Sequence, residues 1–216
     1  MNWSYRLGWI VFRAVFGVFF RARYHHTGRV PRQGPVILAA NHASFIDPPL
    51  IGASLPRMVN FLARDTLFAA PVVGPLLRSW RVVPVDREGG GGAGLKAILD
   101  RLLGGGVILL FPEGTRTPDG RLRPARSGIG LTVIKSQAPV VPVLVRGTYA
   151  AYGRHLRIPR PRPVSVVFGE PLAFAALREE ARHCDKPRLK AIYQQVADEI
   201  MAAIAALERE AGARAD

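Results

Sequence analysis

The sequence is short of cysteine and of acidic residues, and both shortages exclude classes of protein. Its 216 residues include one cysteine, Cys184, so an intrachain disulfide and a C-x-x-C metal or redox motif are excluded. Asp and Glu number 16 against 30 Lys and Arg, a formal net charge of +14, and no acidic residue precedes Asp47. This excess favours a polyanionic partner such as nucleic acid, anionic lipid or a phosphorylated substrate.

The amino-terminal region lacks the uninterrupted run of ~20 apolar residues that a membrane-spanning helix needs. Residues 7–20 are apolar and aromatic, but Arg13 interrupts them and no signal-peptide cleavage site follows. The arginines that come next are Arg21, Arg23, Arg29 and Arg32. Aromatic side chains flanked by positive charge are typical of a helix lying in the membrane interface. We therefore predict an interfacial helical segment over residues 1–27 on an anionic membrane surface; the alternative is a terminal helix buried in a soluble core.

The rest of the chain alternates apolar runs with helical patterns and contains no internal repeat. This alternation predicts an α/β fold, with a single domain over residues 28–216 built on a mixed central β-sheet flanked by helices. The predicted strands are 36–40, 58–62, 82–85, 107–111, 140–145 and 164–168, and the predicted helices are 95–103, 129–135 and 190–210. Pro84 makes the strand at 82–85 an edge or irregular one.

A histidine and an aspartate follow the first predicted strand. His42 comes directly after it, and Asp47 lies five residues further on. An aspartate beside a histidine can hold the imidazole in one tautomer and stabilise its protonated form, so that the ring removes a proton from an alcohol. By itself the pattern has a plainer interpretation, in which the two residues cap a turn and a helix. The pair is a candidate general base and its orienting carboxylate.

A second polar cluster, F-P-E-G-T-R over residues 111–116, follows the strand at 107–111. Arg116 could grip a phosphate with its planar fork of donors, and Glu113 could accept hydrogen bonds from a polyol or orient the arginine. A surface ion pair in a turn is the alternative. Arg81, Arg87 and Arg126 could supply further positive charge to an anion, or could be solvated surface residues.

Other classes of protein fit less well. Residues 89–94 satisfy the dinucleotide pattern G-x-G-x-x-G, but a four-glycine run matches it trivially and the preceding strand is poor. The net charge is the main support for a nucleic-acid-binding protein, and no recognised module accompanies it. The G-x-S-x-G motif of serine hydrolases is absent. His25 and His26 lack the spaced partners of a zinc site.

Four motifs, in order along the chain, together resemble the lysophospholipid acyltransferases, in particular the bacterial 1-acylglycerol-3-phosphate acyltransferases. They are N-H-x4-D-P at 41–48, R-V-V-P-V-D-R at 81–87, F-P-E-G-T-R at 111–116 and V-V-P-V at 140–143. The resemblance covers roughly residues 28–169. Each motif alone is weak to moderate, whereas all four in this order are specific.

The resemblance implies transfer of a fatty acyl group from acyl-CoA or acyl carrier protein to the sn-2 hydroxyl of lysophosphatidic acid, giving phosphatidic acid. His42 would be the general base and Asp47 its orienting group, Arg87 and Arg116 would hold the acceptor phosphate, and Glu113 would position the glycerol. The rest of the implied substrate site is Gly114, Thr115, Arg81 and Arg126. No cofactor, metal or nucleic acid is expected. The expected location is the cytoplasmic face of the inner membrane, as a peripheral or monotopic protein; the alternative acceptor is another lyso lipid, such as lyso-ornithine lipid.

Overall fold

The computed structural model describes residues 2–85 and 92–213, and a mixed sheet forms the centre of this part of the chain. Its strands are β1 (Arg23–His25), β2 (Val36–Ala40), β3 (Val59–Asn60), β6 (Val107–Leu110), β7 (Val140–Arg146) and β8 (Ser165–Phe168). They stand in the order β1-β8-β7-β2-β6-β3; β7 and β8 are antiparallel, and the other neighbours are parallel. The strands β4 (Leu62–Arg64) and β5 (Val83–Val85) form a separate parallel pair.

Helices cover both faces of the sheet. They are α1 (Trp3–Phe19), α2 (Asp47–Ser54), α3 (Val73–Ser79), α4 (Gly92–Leu103), α5 (Gly128–Ser136), α6 (Thr148–Tyr152), α7 (Ala175–His183) and α8 (Lys186–Ala213). Two 3-10 turns lie at Thr27–Arg29 and Asp65–Ala69. This confirms the predicted α/β domain with a mixed central sheet and an amino-terminal helix.

The alternation of side chains along β2 gives the sheet two cores. Val36 and Leu38 face the core that α1 and α2 cover, whereas Ile37 and Ala39 face the core under α4, α5 and α8. All five residues of β2 are completely buried. A continuous apolar run is what a central strand covered on both faces requires.

The predicted elements are confirmed with shifted ends, apart from the strand at 58–62, which the structure divides. Val59 and Asn60 pair with β6, whereas Leu62 begins β4. The change of partner occurs at Phe61, whose carbonyl accepts a hydrogen bond of 2.9 Å from the Val83 amide. The glycine-rich residues 86–91 lie outside the described residues, and α4 begins at Gly92.

The sequence analysis missed β1, α2, α3, α6 and α7. The strand β1 pairs with β8 at the edge of the main sheet, and its sequence Arg-Tyr-His lacks the apolar run by which strands were recognised. Residues 1–27 therefore contribute a strand to the main sheet as well as a helix. The division at residue 27 stays a prediction.

Helix α1 is apolar on nearly every side. Asn2 caps it by accepting a hydrogen bond of 2.9 Å from the Tyr5 amide, and Tyr5 and Phe16 are buried against the body of the protein. Seven of the fourteen exposed large apolar side chains in the described chain also lie on α1: Trp3, Leu7, Ile10, Val11, Val15, Val18 and Phe19. Within residues 2–85 and 92–213, no helix has the length and apolarity to cross a membrane.

Candidate active site

Two neighbouring strand ends bring the predicted site residues together. The strands β2 and β6 are parallel and adjacent, so the segments that follow them, His42 and Glu113, leave the sheet at the same edge. The backbone amide of His42 donates a hydrogen bond of 3.1 Å to Oε1 of Glu113, and the carbonyl of His42 accepts one of 2.8 Å from the Thr117 amide. The two motifs that lie about seventy residues apart in sequence are therefore joined by direct hydrogen bonds.

Asn41 fixes the direction in which the chain leaves β2. Its side-chain Oδ1 accepts a hydrogen bond of 2.7 Å from the Val145 amide, and its Nδ2 donates one of 3.0 Å to the Val145 carbonyl. The buried side chain thus satisfies both backbone groups of a residue in the neighbouring strand β7. This anchor lies one residue before His42 and holds its backbone to the sheet.

The His42–Asp47 pair has the geometry of a base and its orienting carboxylate. Nδ1 of His42 lies 2.8 Å from Oδ2 of Asp47, and the same oxygen accepts hydrogen bonds of 2.7 Å from the amides of Ala43 and Ser44. Asp47 is completely buried, and it begins α2, where the positive end of the helix dipole favours a carboxylate. Because the carboxylate accepts a hydrogen bond from Nδ1–H, the imidazole presents Nε2 as its basic nitrogen.

Phe111 sets the plane of the imidazole. The rings of His42 and Phe111 stack with centroids 3.8 Å apart and an interplanar angle of 14°. The side chain of His42 keeps 16% of its surface exposed, while the side chain of Asp47 has none. The base is thus reachable from outside, and the group that orients it is not.

Glu113 is a buried carboxyl with one hydrogen-bonded oxygen. Burial raises its pKa from 4.5 to about 7; the hydrogen bond from the His42 amide and the charge of Arg123 oppose this rise, and the negative charge of Asp47 adds to it. The Oε2 atom is buried without a hydrogen-bond partner. Glu113 contacts the backbone of the base, and it changes ionisation state near neutral pH.

Arg116 lies over the face of an aromatic side chain from the other motif. Its guanidinium carbon is 3.4 Å from the centroid of the Phe45 ring, and Phe45 in turn lies 5.4 Å from the ring of Tyr152. The Ser44 hydroxyl donates a hydrogen bond of 2.6 Å to the Tyr152 carbonyl, which ties the His42–Asp47 loop to α6. A cation held flat on an aromatic face can direct its donors sideways to a phosphate.

Gly114 and Arg126 occupy the same corner. Gly114 adopts a left-handed φ of +72°, and a Cβ at this position would lie 2.9 Å from Cδ of Arg126. The Arg126 amide donates a hydrogen bond of 2.9 Å to the Pro112 carbonyl. Glycine therefore lets the Arg126 side chain pass close over the turn that carries Glu113, and Thr115 is a half-buried residue of that turn.

One predicted arginine, Arg81, lies away from this edge. Arg81 lines a groove of about 360 Å³ with Asn60 and Gly106, at the amino-terminal ends of β5 and β6, the opposite edge of the sheet from His42. Its φ of 56° is left-handed. Arg87 lies outside the described residues. The structure therefore brings together His42, Asp47, Glu113, Gly114, Thr115, Arg116 and Arg126, and separates Arg81 from them.

The sequence analysis missed the residues that hold this site in place. Asn41, Ser44 and Phe45 all lie within or beside the H-x4-D motif, so their position was the available signal. Their partners Val145 and Tyr152 are about a hundred residues away, and no local pattern shows such contacts. Among the described residues, no group of three or more His, Cys, Asp or Glu side chains is arranged to hold a metal ion.

Comparisons with known proteins identify the family of the chain. The profile of the family described as Acyltransferase matches residues 21–146. The chain is 34% identical over 116 residues to the chloroplastic 1-acyl-sn-glycerol-3-phosphate acyltransferase BAT2 of Brassica napus, covering 53% of this chain and 33% of the relative. It is 26% identical over 151 residues to the 1-acyl-sn-glycerol-3-phosphate acyltransferase of Bacillus subtilis, covering 69% of this chain and 73% of the relative.

The fold has a solved counterpart. The crystal structure of the 1-acyl-sn-glycerophosphate acyltransferase PlsC from Thermotoga maritima superposes with a TM-score of 0.69 at 23% identity, covering 92% of this chain and 77% of that one. The chain spans about a third of the length of the Brassica napus relative, and about three quarters of the Bacillus subtilis one. The family profile covers more than half of the chain, on the strands and loops that carry His42, Asp47 and Glu113. The chain belongs to the acyltransferase family.

Proposed function

We propose that the chain is a 1-acylglycerol-3-phosphate O-acyltransferase, which transfers a fatty acyl group from acyl-CoA or acyl carrier protein to the sn-2 hydroxyl of lysophosphatidic acid. The observation that carries this proposal is the buried Asp47 carboxylate, 2.8 Å from Nδ1 of a partly exposed His42. The names of the relatives support the choice of acceptor.

The proposed reaction is a single displacement at the thioester carbonyl. Nε2 of His42 removes the proton of the acceptor hydroxyl as its oxygen attacks the acyl carbon, and the Asp47 carboxylate stabilises the resulting imidazolium. The carbon–sulfur bond then breaks, and the thiolate takes the proton from the imidazolium. The products are an ester and a free thiol, and His42 is neutral again. No acyl group is attached to the protein at any stage.

Two arginines near His42 form the proposed binding site for the acceptor phosphate. Arg116 lies on the same turn as Glu113, over the Phe45 ring, and the side chain of Arg126 passes over Gly114 in that turn. Holding the phosphate fixes the glycerol hydroxyl near His42, and positioning of this kind lowers the barrier to a reaction between two bound molecules. Arg87 belongs to the proposal by resemblance. Arg81 lies at the opposite edge of the sheet and is left out.

The acceptor is a membrane lipid, and α1 offers a surface that suits a bilayer. Its exposed apolar residues recur along one side of the helix, at Trp3, Leu7, Val11 and Val18. The opposite side of α1 packs on the body of the protein through Tyr5 and Phe16, so the helix is held in place without burying its exposed side. We propose that this side lies in the membrane interface, with the protein peripheral or monotopic on the cytoplasmic face.

Acyl transfer by the purified protein tests the reaction and its acceptor together. Labelled acyl-CoA is offered with lysophosphatidic acid, lyso-ornithine lipid or lysophosphatidylcholine in detergent, beside the His42→Ala variant as control. Selective conversion of lysophosphatidic acid is expected. Conversion of lyso-ornithine lipid alone would keep the mechanism and replace the acceptor. Failure with acyl-CoA and with acyl carrier protein thioesters would overturn the proposal.

Vesicle binding tests the role of α1. Deletion of residues 1–23 would also remove Phe16 and Phe20 from the core. It would remove the Tyr5 hydroxyl as well, whose oxygen accepts a hydrogen bond from the Val59 amide. Point variants are therefore the better test. We expect Leu7→Ser with Val11→Ser to weaken co-sedimentation with vesicles without unfolding the protein, because both residues are about half exposed. Unchanged co-sedimentation would remove α1 from the membrane contact.

A further inference from the structure

A positively charged groove lies outside the candidate active site, on the other face of the sheet. It has a volume of about 610 Å³; Arg21, Arg23, Arg146 and Glu210 are its charged lining residues, and His25 and His26 also line it. Its floor lies on β1, β8 and the end of β7, and residues near the carboxyl end of α8 line it as well. We refer to it as the β1–β8 groove. The proposed reaction uses none of its residues.

The strand register aligns two arginines across the floor of the groove. Arg23 on β1 and Arg146 on β7 both lie opposite Ser165 on the strand between them, so the three residues form one row. Neighbouring strands are ~4.8 Å apart, which places the two arginine backbones roughly 10 Å from each other. His25 stands two residues along β1 and therefore points to the same side. Two guanidinium groups at this separation can reach one phosphate between them.

The groove continues into an apolar hollow at the end of α1. This second hollow, of about 400 Å³, is lined by Val18, Phe19 and Arg162, and it shares Arg21 and Pro163 with the groove. Val18 is 85% exposed and Phe19 is 45% exposed. Apolar surface at one end and arginines at the other match an amphiphile whose head carries negative charge.

We propose that the β1–β8 groove binds the phosphate-bearing headgroup of an anionic phospholipid at the membrane surface. The row formed by Arg23, Ser165 and Arg146 receives the phosphate, and Val18 and Phe19 contact the acyl region. This proposal is separate from acyl transfer, because the groove lies on the α8 face, whereas His42 stacks on Phe111 on the α1 face.

The position of the groove gives the lipid contact a consequence for the active site. Arg146 follows Val145, the residue that Asn41 anchors, and Asn41 precedes His42. The row of arginines and the base therefore lie at the same edge of the sheet. A headgroup held in the groove, together with α1 in the interface, fixes that edge toward the bilayer from which a lipid acceptor comes.

Arg146 is the residue that separates this proposal from binding by α1 alone. Arg21 and Arg23 directly follow α1, so their loss would weaken a simple interfacial helix as well, whereas Arg146 lies more than a hundred residues away on β7. We therefore compare Arg146→Gln with Lys135→Gln. Lys135 is an exposed residue on α5, and its substitution removes the same single positive charge. The full chain is sedimented with vesicles of phosphatidylcholine containing phosphatidylglycerol and with phosphatidylcholine alone.

We expect Arg146→Gln to weaken binding to the anionic vesicles about fivefold, the effect of one basic residue near an anionic surface. Lys135→Gln should change it less than about twofold, because charges well beyond the ~8 Å screening distance contribute little. Equal effects of the two variants would mean that only net charge matters, and would overturn the proposal. Binding is measured without an acyl donor, so a protein that fails to transfer acyl groups still gives a result here.

A second variant leaves every arginine in place. Ser165→Glu introduces a negative charge at the centre of the row, with Ser165→Ala as its matched control, and circular dichroism confirms that both are folded. We expect the glutamate, and not the alanine, to weaken binding to the anionic vesicles about as much as Arg146→Gln. Vesicle binding that Ser165→Glu leaves unchanged, or DNA binding that falls while vesicle binding stays, would exclude a lipid headgroup as the occupant.

Discussion

The two edges of the central sheet use charged residues in different ways. At the carboxyl edge, Asp47 and Glu113 are buried beside His42, and each accepts hydrogen bonds from backbone amides of the His42 loop. At the amino edge, Arg57 donates hydrogen bonds to the carbonyls of Pro31, Gly34 and Gly105 and so fastens three loops together. Buried acids around a partly exposed base mark chemistry, whereas an arginine directed at carbonyls marks structure. The positive charge of the chain therefore does not by itself locate the site.

The strongest test of this contrast removes the base. We expect His42→Ala to lower the rate of acyl transfer about a thousandfold, because general-base catalysis contributes ~10²–10⁴. The free energy of unfolding should fall by about 1–3 kcal/mol, because alanine keeps the backbone hydrogen bonds of residue 42 but loses the stack on Phe111 and the hydrogen bond to the buried Asp47 carboxylate. Transfer rate and urea unfolding are measured on the same preparation. Substantial turnover by a folded His42→Ala protein would remove this edge as the catalytic one.

The orienting carboxylate gives the next largest effect. Asp47→Asn keeps an oxygen for the Ala43 and Ser44 amides but loses the charge that stabilises the imidazolium, so we expect a loss of roughly a hundredfold in kcat with little change in KM. Steady-state kinetics with lysophosphatidic acid measures both constants. A rise confined to KM would assign Asp47 to binding instead.

Glu113 should make the stability of the carboxyl edge depend on pH. Its pKa is about 7 in the folded protein against 4.5 for an ordinary carboxyl, so its stabilising contribution is complete below about pH 4.5 and is lost as pH rises through 7. Relative to Glu113→Gln, which keeps an oxygen for the His42 amide, the wild type should lose about 2–3 kcal/mol of unfolding free energy between pH 5 and pH 8.

Urea unfolding of both proteins at the two pH values measures this difference, because other titrating groups cancel in the comparison. A constant difference between wild type and Glu113→Gln would mean that the carboxyl ionises normally in the folded protein. In that case a water molecule would have to reach the buried Oε2 atom and donate a hydrogen bond to it.

A smaller effect is expected at the aromatic support of Arg116. Phe45→Ala removes the ring that lies 3.4 Å from the guanidinium, and an exposed cation–π contact is worth ~0.5–1 kcal/mol. We expect KM for lysophosphatidic acid to rise about two- to fivefold, while kcat and the KM for acyl-CoA remain unchanged. Phe45→Tyr, which restores the aromatic face, should restore KM. A fall in kcat alone would connect Phe45 with His42 rather than with the acceptor phosphate.

The sequence was most informative where local patterns determine structure. The apolar runs predicted six strand regions of the chain, and the two polar clusters His42–Asp47 and Glu113–Arg116 were predicted because each follows such a run. These two clusters are in contact because β2 and β6 are neighbours in the sheet. The order of strands in a sheet cannot be read from a short sequence motif. The strand β1 was missed for the opposite reason: an edge strand needs little apolar sequence, and Arg23 and His25 face outward.

Arg81 gives the last and smallest prediction, and it tests where the sequence analysis and the structure differ. The sequence analysis assigns Arg81 to the substrate site, whereas the structure places it in the groove at the amino edge, with Asn60 and Gly106. We expect Arg81→Gln to change kcat/KM less than about twofold, as for a surface substitution away from the site, since Arg81 lies at the opposite edge of the sheet from His42. Arg57→Gln is the matched control: it removes the same charge nearby and should lower the free energy of unfolding by about 1–3 kcal/mol, because the carbonyls it serves lose charged donors. A tenfold loss of activity in a stable Arg81→Gln protein would return Arg81 to the substrate site and end the division between the two edges.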